Sequence, residues 1–269
     1  MLSKLLKYDS KALSRFFVPT FGGFLAITLM NKIFWELSMI FSSDSFSQQI
    51  IDIFTGVFTT AYILGIIAVV IMSQVFIAVH FYKNLTGDEG YLMFTLPVKT
   101  SQILLSKIIT SFLFSLAAIC SVIVSFFILA AGHGVTNFFS AVVQAVNIVA
   151  QSPQSVDFNL FIVELLVMLL LSLIFMILNY FAAISLGQLF NSHKLLGSIV
   201  SYIAIQFIIQ IISTIFLIFS SFTFDAFLYG DVFSVLHLYF LFSIVLDIIF
   251  ICIFYFITHY MFSKKLNLD

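Results

Sequence analysis

Six long apolar stretches divide this chain, at about 20–41, 54–80, 103–131, 159–187, 195–221 and 232–260, and polar segments separate them. A helix needs about 20 apolar residues to cross a hydrocarbon core about 30 Å thick. Each stretch is long enough, and several are longer, which predicts tilt or extension beyond the bilayer. The runs are continuous, whereas the strands of a membrane barrel alternate over segments of about ten residues. The pattern therefore predicts helices, which satisfy their own backbone where no water can. One polar segment is longer than a turn requires. It reads "YKNLTGDEGYLMFTLPVKTSQILLSK" from Tyr82 to Lys107, and its loop, about 81–102, joins the second and third stretches.

Composition sharpens this picture. The chain is 62 % hydrophobic and only 9 % charged, where a soluble domain has about 25 % charged residues. The expected fold is all-α integral membrane, a six-transmembrane-helix bundle forming a single domain over 1–269. Cys120 and Cys252 both lie inside apolar runs and give no disulfide framework and no metal-ligand spacing. Phenylalanine is abundant at 36 residues. With lysine far outnumbering arginine, this fits an AT-rich bacterial genome and is not read as an aromatic binding site.

The placement of charge gives an orientation. Lys4, Lys7, Lys11 and Arg15 precede the first stretch, Lys83, Lys99 and Lys107 flank the polar loop, Lys194 separates the fourth and fifth stretches, and Lys264 and Lys265 follow the sixth. The other three loops carry Asp44, Asp52, Asp157, Asp225 and Asp231 and no basic residue. The excess of Lys and Arg predicts that both termini and the polar loop are cytoplasmic. At the start, Lys4, Lys7, Lys11 and Arg15 line one face of a helix, with Leu2, Leu5, Leu6, Leu13, Phe16 and Phe17 opposite. That is the pattern of an amphipathic helix lying in the interface, predicted over 1–19. Asp9 interrupts its apolar face, or caps a turn beginning at Ser10. No small-x-small site follows the first apolar run, so a cleaved signal peptide is not expected.

The search for chemistry is largely negative. No G-x-x-x-x-G-K-[ST] pattern occurs, so any ATPase driving this protein is another chain. No H-E-x-x-H and no paired intramembrane aspartates appear, and His80, His133, His193, His237 and His259 are scattered. No catalytic residue, metal site or nucleic-acid contact is expected. Ionisable residues inside spans are functional candidates by default. Lys32 and Glu36 share one face of the first span and read as a self-neutralising pair or as pathway lining. Glu164 lies near the start of the fourth span and is expected to snorkel outward. Asp247 lies about 22 Å into the sixth span and needs a partner, for which Lys32 is one candidate. Gln206 and Gln210 could join helices or line a path.

The polar loop has internal structure. Asp88 and Glu89 suit the first turn of a short helix, "YLMF" supplies apolar side chains, and Pro97 breaks the backbone. A short amphipathic helix at the membrane surface is a docking handle for a cytosolic partner. The run Asp88-Glu89-Gly90-Tyr91-Leu92, then Thr95-Leu96-Pro97-Val98, then Gln102 through Ser106-Lys107, resembles the cytoplasmic loop of ABC-2 type transporter permeases. The segments "LLKYDSKALSRFFVP" and "LGQLFNSHKLLGSIV" and the six-span layout resemble that family too.

The resemblance implies a permease subunit of an ATP-driven exporter in the bacterial cytoplasmic membrane. Two permeases, identical or paralogous, would pack around a translocation path in the lipid bilayer. Two ATP-binding subunits beneath them would hold the ATP and Mg, so this chain would bind no cofactor itself. Asp88, Glu89, Gly90, Tyr91, Leu92, Met93 and Phe94 would form the cytoplasmic coupling helix between spans two and three, with Glu89 and Tyr91 the best contacts. Pro97 and Val98 would hinge into span three. The family's outer hairpin has no counterpart in the short last outer loop, whereas "VTNFFSAVVQAVNIVAQ" between spans three and four could be a surface helix. The alternative is a self-contained secondary transporter or channel using the intramembrane charges. Against it, no inverted repeat and no span broken at the midplane is evident.

Overall fold

The computed structural model describes residues 2–40, 45–86, 90, 98–131, 140–141, 143–144, 147, 155–190, 193–221 and 232–264. They form six long helices: α1 (Leu2–Ile40), α2 (Ser45–Thr86), α3 (Thr100–Ala130), α4 (Ser155–Gly187), α5 (Lys194–Ser221) and α6 (Val232–Lys264). All six are long and apolar enough to cross a membrane, which makes the chain a multi-pass helical membrane protein. The predicted stretches fall on these helices one for one.

Two elements begin earlier than hydropathy suggests. The expected interfacial segment over 1–19 is continuous with the first span in α1, which runs through Pro19. Lys4, Lys7, Lys11 and Arg15 are exposed along it as expected. Asp9, however, interrupts no lipid-facing surface and caps no new turn: it is mid-helix and buried with Leu13 and Phe17. At 39 residues and about 1.5 Å per residue, α1 far exceeds the bilayer core. The second helix starts at Ser45 rather than near 54, so Asp52 is helical. Gln48, Gln49 and Asp52 lower the hydropathy of those turns without opposing the helix.

The helices divide between two compact units, one comprising Ser3–Ile77 and Ile109–Ala145, the other Met1–Leu2, Ala78–Ile108 and Val146–Asp269. In the first unit α1 and α2 run antiparallel. Phe34 stacks on Phe54 and Phe58 at 5.3 and 4.8 Å, Thr59 Oγ1 donates to Asn31 Oδ1 at 3.1 Å, and Phe24 stacks on Tyr62 at 5.9 Å. Further along, Phe17 meets Phe76. The third helix closes this unit through Phe17–Phe114 and a 3.1 Å hydrogen bond between the Tyr62 and Ser125 hydroxyls.

In the second unit α4 packs against both α5 and α6. It runs parallel to α6, with Phe161 against Phe240 and Phe175 against Phe250 and Phe254. It forms a tight antiparallel hairpin with α5. Three i→i+3 bonds (Gln188, Leu189 and Phe190 N–H to Ser185, Leu186 and Gly187 C=O) wind down the end of α4, and Gly197 N–H donating to His193 C=O at 2.8 Å opens α5. Here two glycines allow the close approach. A Cβ on Gly187 would overlap the backbone N and Cα of Ser198, and one on Gly197 would lie 2.8 Å from the Gly187 carbonyl oxygen.

Candidate functional site

The sequence points to the segment between α2 and α3. Asp88, Glu89, Tyr91, Leu92, Met93, Phe94 and Pro97 lie outside the described residues. The surface helix expected at 135–151 and the last outer loop fall largely or wholly outside them as well. What the structure describes is the base from which the α2–α3 segment springs.

That base is firmly packed in the second unit. Leu85, in the last turn of α2, is 1 % exposed, and Ile103 and Leu104, in the first turns of α3, are 1 % and 2 % exposed. Phe81 stacks face to face on Phe181 of α4 at 3.7 Å and edge-on against Phe262 of α6 at 5.6 Å. Gly90 is helical and buried. A Cβ there would lie 2.5 Å from the Leu85 carbonyl oxygen, a backbone atom that cannot swing aside. The glycine at this position therefore has a steric reason: the chain passes directly over the end of α2. Val98 forms a bend, after which the Lys99 carbonyl accepts from Gln102 N–H at 2.9 Å and starts α3.

The Ser106-Lys107 step behaves differently from an ordinary basic flank. Ser106 is fully buried and Lys107 is 1 % exposed. A buried ammonium is tolerated only with partners, and Lys107 has one. It heads a seam of small hydroxyl residues that sequence reasoning missed: Ser106, Thr110, Ser111, Ser115, Ser121 and Ser125 are all buried along α3. Ser106, Ser121 and Ser125 turn back to carbonyls of their own helix, at 3.0, 2.7 and 2.6 Å. Small residues of this kind let membrane helices approach closely. The signal was present as four-residue spacings of Ser or Thr within an apolar run: Ser106/Thr110, Ser111/Ser115 and Ser121/Ser125.

The intramembrane charges are not one cluster. Lys32 pairs with Glu36 at 3.0 Å, as its spacing suggested. Its ammonium also donates to the Leu129 and Ala131 carbonyls at the end of α3, so it satisfies a helix C-terminus. Glu164 does not reach out alone. It pairs with His237, joining α4 to α6, while its second oxygen is buried without a hydrogen-bond partner among the described residues. In the sequence His237 is one of five scattered histidines, and nothing in the spacing of 164 and 237 links them. Asp247 is half-buried on α6. Among the described residues no three His, Cys, Asp or Glu side chains gather as a metal site would require.

Comparison of the chain with known protein families, with curated proteins and with solved structures returns no match.

Proposed function

We propose that this chain is the permease subunit of an ATP-driven exporter of the ABC-2 type, coupled to a separate ATP-binding subunit through residues 88–94. The observation that carries the reading is the resemblance of Asp88 through Lys107 to the family's coupling loop. Supporting it are six helices able to cross a membrane and the one-sided distribution of Lys and Arg. The packing of the base is also what coupling needs. With Phe81, Leu85, Ile103 and Leu104 buried, a push on the segment displaces the ends of α2 and α3 instead of dissipating in a loose loop. Interiors this dense transmit strain.

In this reading, ATP binding closes the partner ATPases, the coupling segments follow, and the second unit shifts with them. A self-contained transporter using Asp247 is the rival. Lys32 is poorly suited to it, because its ammonium is held by Glu36 and the end of α3.

The test is gentle affinity purification from native membranes with mass spectrometry of co-purifying chains, alongside a Glu89→Ala/Tyr91→Ala variant. Stoichiometric recovery of a Walker-A ATPase, lost in the variant, is the expected result. A second, different permease in the sample would make the complex a heterodimer. Recovery of this chain alone in every mild detergent and nanodisc would overturn the assignment and move Asp247 forward as an ion-coupling carboxylate.

A further inference from the structure

The second unit contains a pocket of about 410 Å³ between the end of α2, the end of α4 and the start of α5. That volume lies within the range of about 300–1,000 Å³ typical of ligand sites. Its walls include Val79, Ala183, Ile184, Leu195 and Ile199. Of these, Val79, Leu195 and Ile199 are 43, 56 and 48 % exposed, so the pocket wall runs on into the apolar outer surface of the helices. The polar side chains of the lining are Tyr82, Lys83, Tyr180, Ser198 and Tyr202. Two tyrosines are turned toward each other: Tyr180 and Tyr202 stack at 5.5 Å and share a hydrogen bond. Ser198 Oγ donates to the Lys194 carbonyl at 2.9 Å. Among the described residues Lys83 is the one charged residue of the lining, and it is exposed, in the last turn of α2. Among the described residues no carboxylate lines the pocket.

We propose that this pocket binds an anionic phospholipid, with an acyl chain between α2, α4 and α5 and the phosphate at Lys83. Depth argues for a lipid over a water-soluble anion. Tyr180 lies about 10 Å from the end of α4 and Tyr202 about 12 Å from the start of α5, so the cavity reaches from the headgroup level into the acyl region. Tyrosines are at home at that level, with ring in hydrocarbon and hydroxyl toward water. Charge argues for an anionic over a zwitterionic headgroup. Among the described residues the lining carries a cation and no carboxylate, which favours a net negative headgroup over one that brings its own ammonium beside Lys83. The site is independent of the ATPase-coupling reading and would stand if that reading fell.

The experiment uses the purified full chain in phosphatidylcholine nanodiscs, with a small fraction of phosphatidylglycerol bearing a diazirine in its acyl chain. After photolysis, labelled peptides are mapped. Labelling is expected at Ala183, Ile184 and Ile199 above that at the lipid-facing Ile203 and Phe207, and unlabelled phosphatidylglycerol should compete it away where phosphatidylcholine does not. Lys83→Gln, an exposed change that leaves the fold intact, should lower the pocket labelling about fivefold, the effect of about 1 kcal/mol per Lys at an anionic surface. Ile199→Trp should abolish it while sparing Phe207. Labelling no stronger in the pocket than at Phe207, equal competition by phosphatidylcholine, or indifference to Lys83→Gln would each overturn the proposal. So would cross-links between two copies through these residues with no lipid adduct, which would give the pocket to a second chain.

Discussion

Gly187→Ala tests whether the α4–α5 hairpin is set by backbone contact. In the structure the added methyl would overlap the Ser198 backbone N and Cα as well as its Oγ. Relief by moving the Oγ alone is therefore impossible, and the two helices must separate. Overpacking at such a site costs about 1–3 kcal/mol, against which the gain of Ala over Gly in helix propensity is at most about 1 kcal/mol. Gly187 is the last residue of α4, where little of that gain is realised, so the expected net loss is about 1–3 kcal/mol, read from reversible SDS unfolding in mixed micelles. The decisive control is Gly187→Ala/Ser198→Ala. It removes only the hydroxyl, so most of the loss should remain. A neutral Gly187→Ala, or full rescue by Ser198→Ala, would show that the hairpin is held by side chains and that the backbone argument is wrong. A stabilised Gly187→Ala would show that propensity dominates and that the helices are looser than drawn.

Other substitutions probe the polar contacts. Lys32→Met should cost about 1–3 kcal/mol by leaving the last carbonyls of α3 unsatisfied, whereas Glu36→Gln should cost under about 0.5 kcal/mol because Glu36 is largely exposed; equal losses in SDS titrations would mean the ion pair, not the helix end, is what Lys32 serves. His237→Ala should lose about 1–3 kcal/mol by leaving both Glu164 oxygens unpartnered, and Glu164→Leu/His237→Leu should recover most of it. A double variant as unstable as the single one would refute the desolvation argument. Tyr62→Phe should cost about 1 kcal/mol through loss of the hydroxyl bond to Ser125, with no further loss when Ser125→Ala is added; additive losses would mean that the two hydroxyls are not coupled.

The spans were legible because hydropathy reports where a helix can cross a bilayer, and that is a property of each segment alone. The faces were not. In a soluble helix the buried stripe is apolar and the exposed one polar, but lipid is as apolar as leucine, so the difference largely disappears. The result is seen in α3, where Leu113, Ile123 and Phe126 face outward while Ser111, Ser121 and Ser125 are buried. Asp9 misled for the same reason: read as a flaw in an apolar face, it belongs to the buried stripe of Leu13 and Phe17. Lys107 looked like one more topology-setting charge, yet its Ser-Lys step is fully interior. The Lys32–Glu36 pair was readable because i,i+4 spacing is local, whereas Glu164–His237 joins two helices and needed the fold.

The base of the polar segment brings these threads to bear on function. Both of its ends, Leu85 and Ile103, are rooted in the second unit. Beyond them, α2 and α3 continue as unbroken helices into the first unit, where they meet α1 through Tyr62–Phe24 and Phe114–Phe17. A hydrogen-bonded helix resists bending unless proline, glycine or an inserted group weakens it, and α3 has neither proline nor glycine anywhere between Thr100 and Ala130. Under the exporter reading, motion at residues 88–94 is passed first to these two buried ends, Leu85 and Ile103, within the second unit. The hydroxyl seam gives α3 a polar buried face in which Ser106, Ser121 and Ser125 satisfy themselves on their own backbone, while the Ser115 hydroxyl is buried without a hydrogen-bond partner among the described residues.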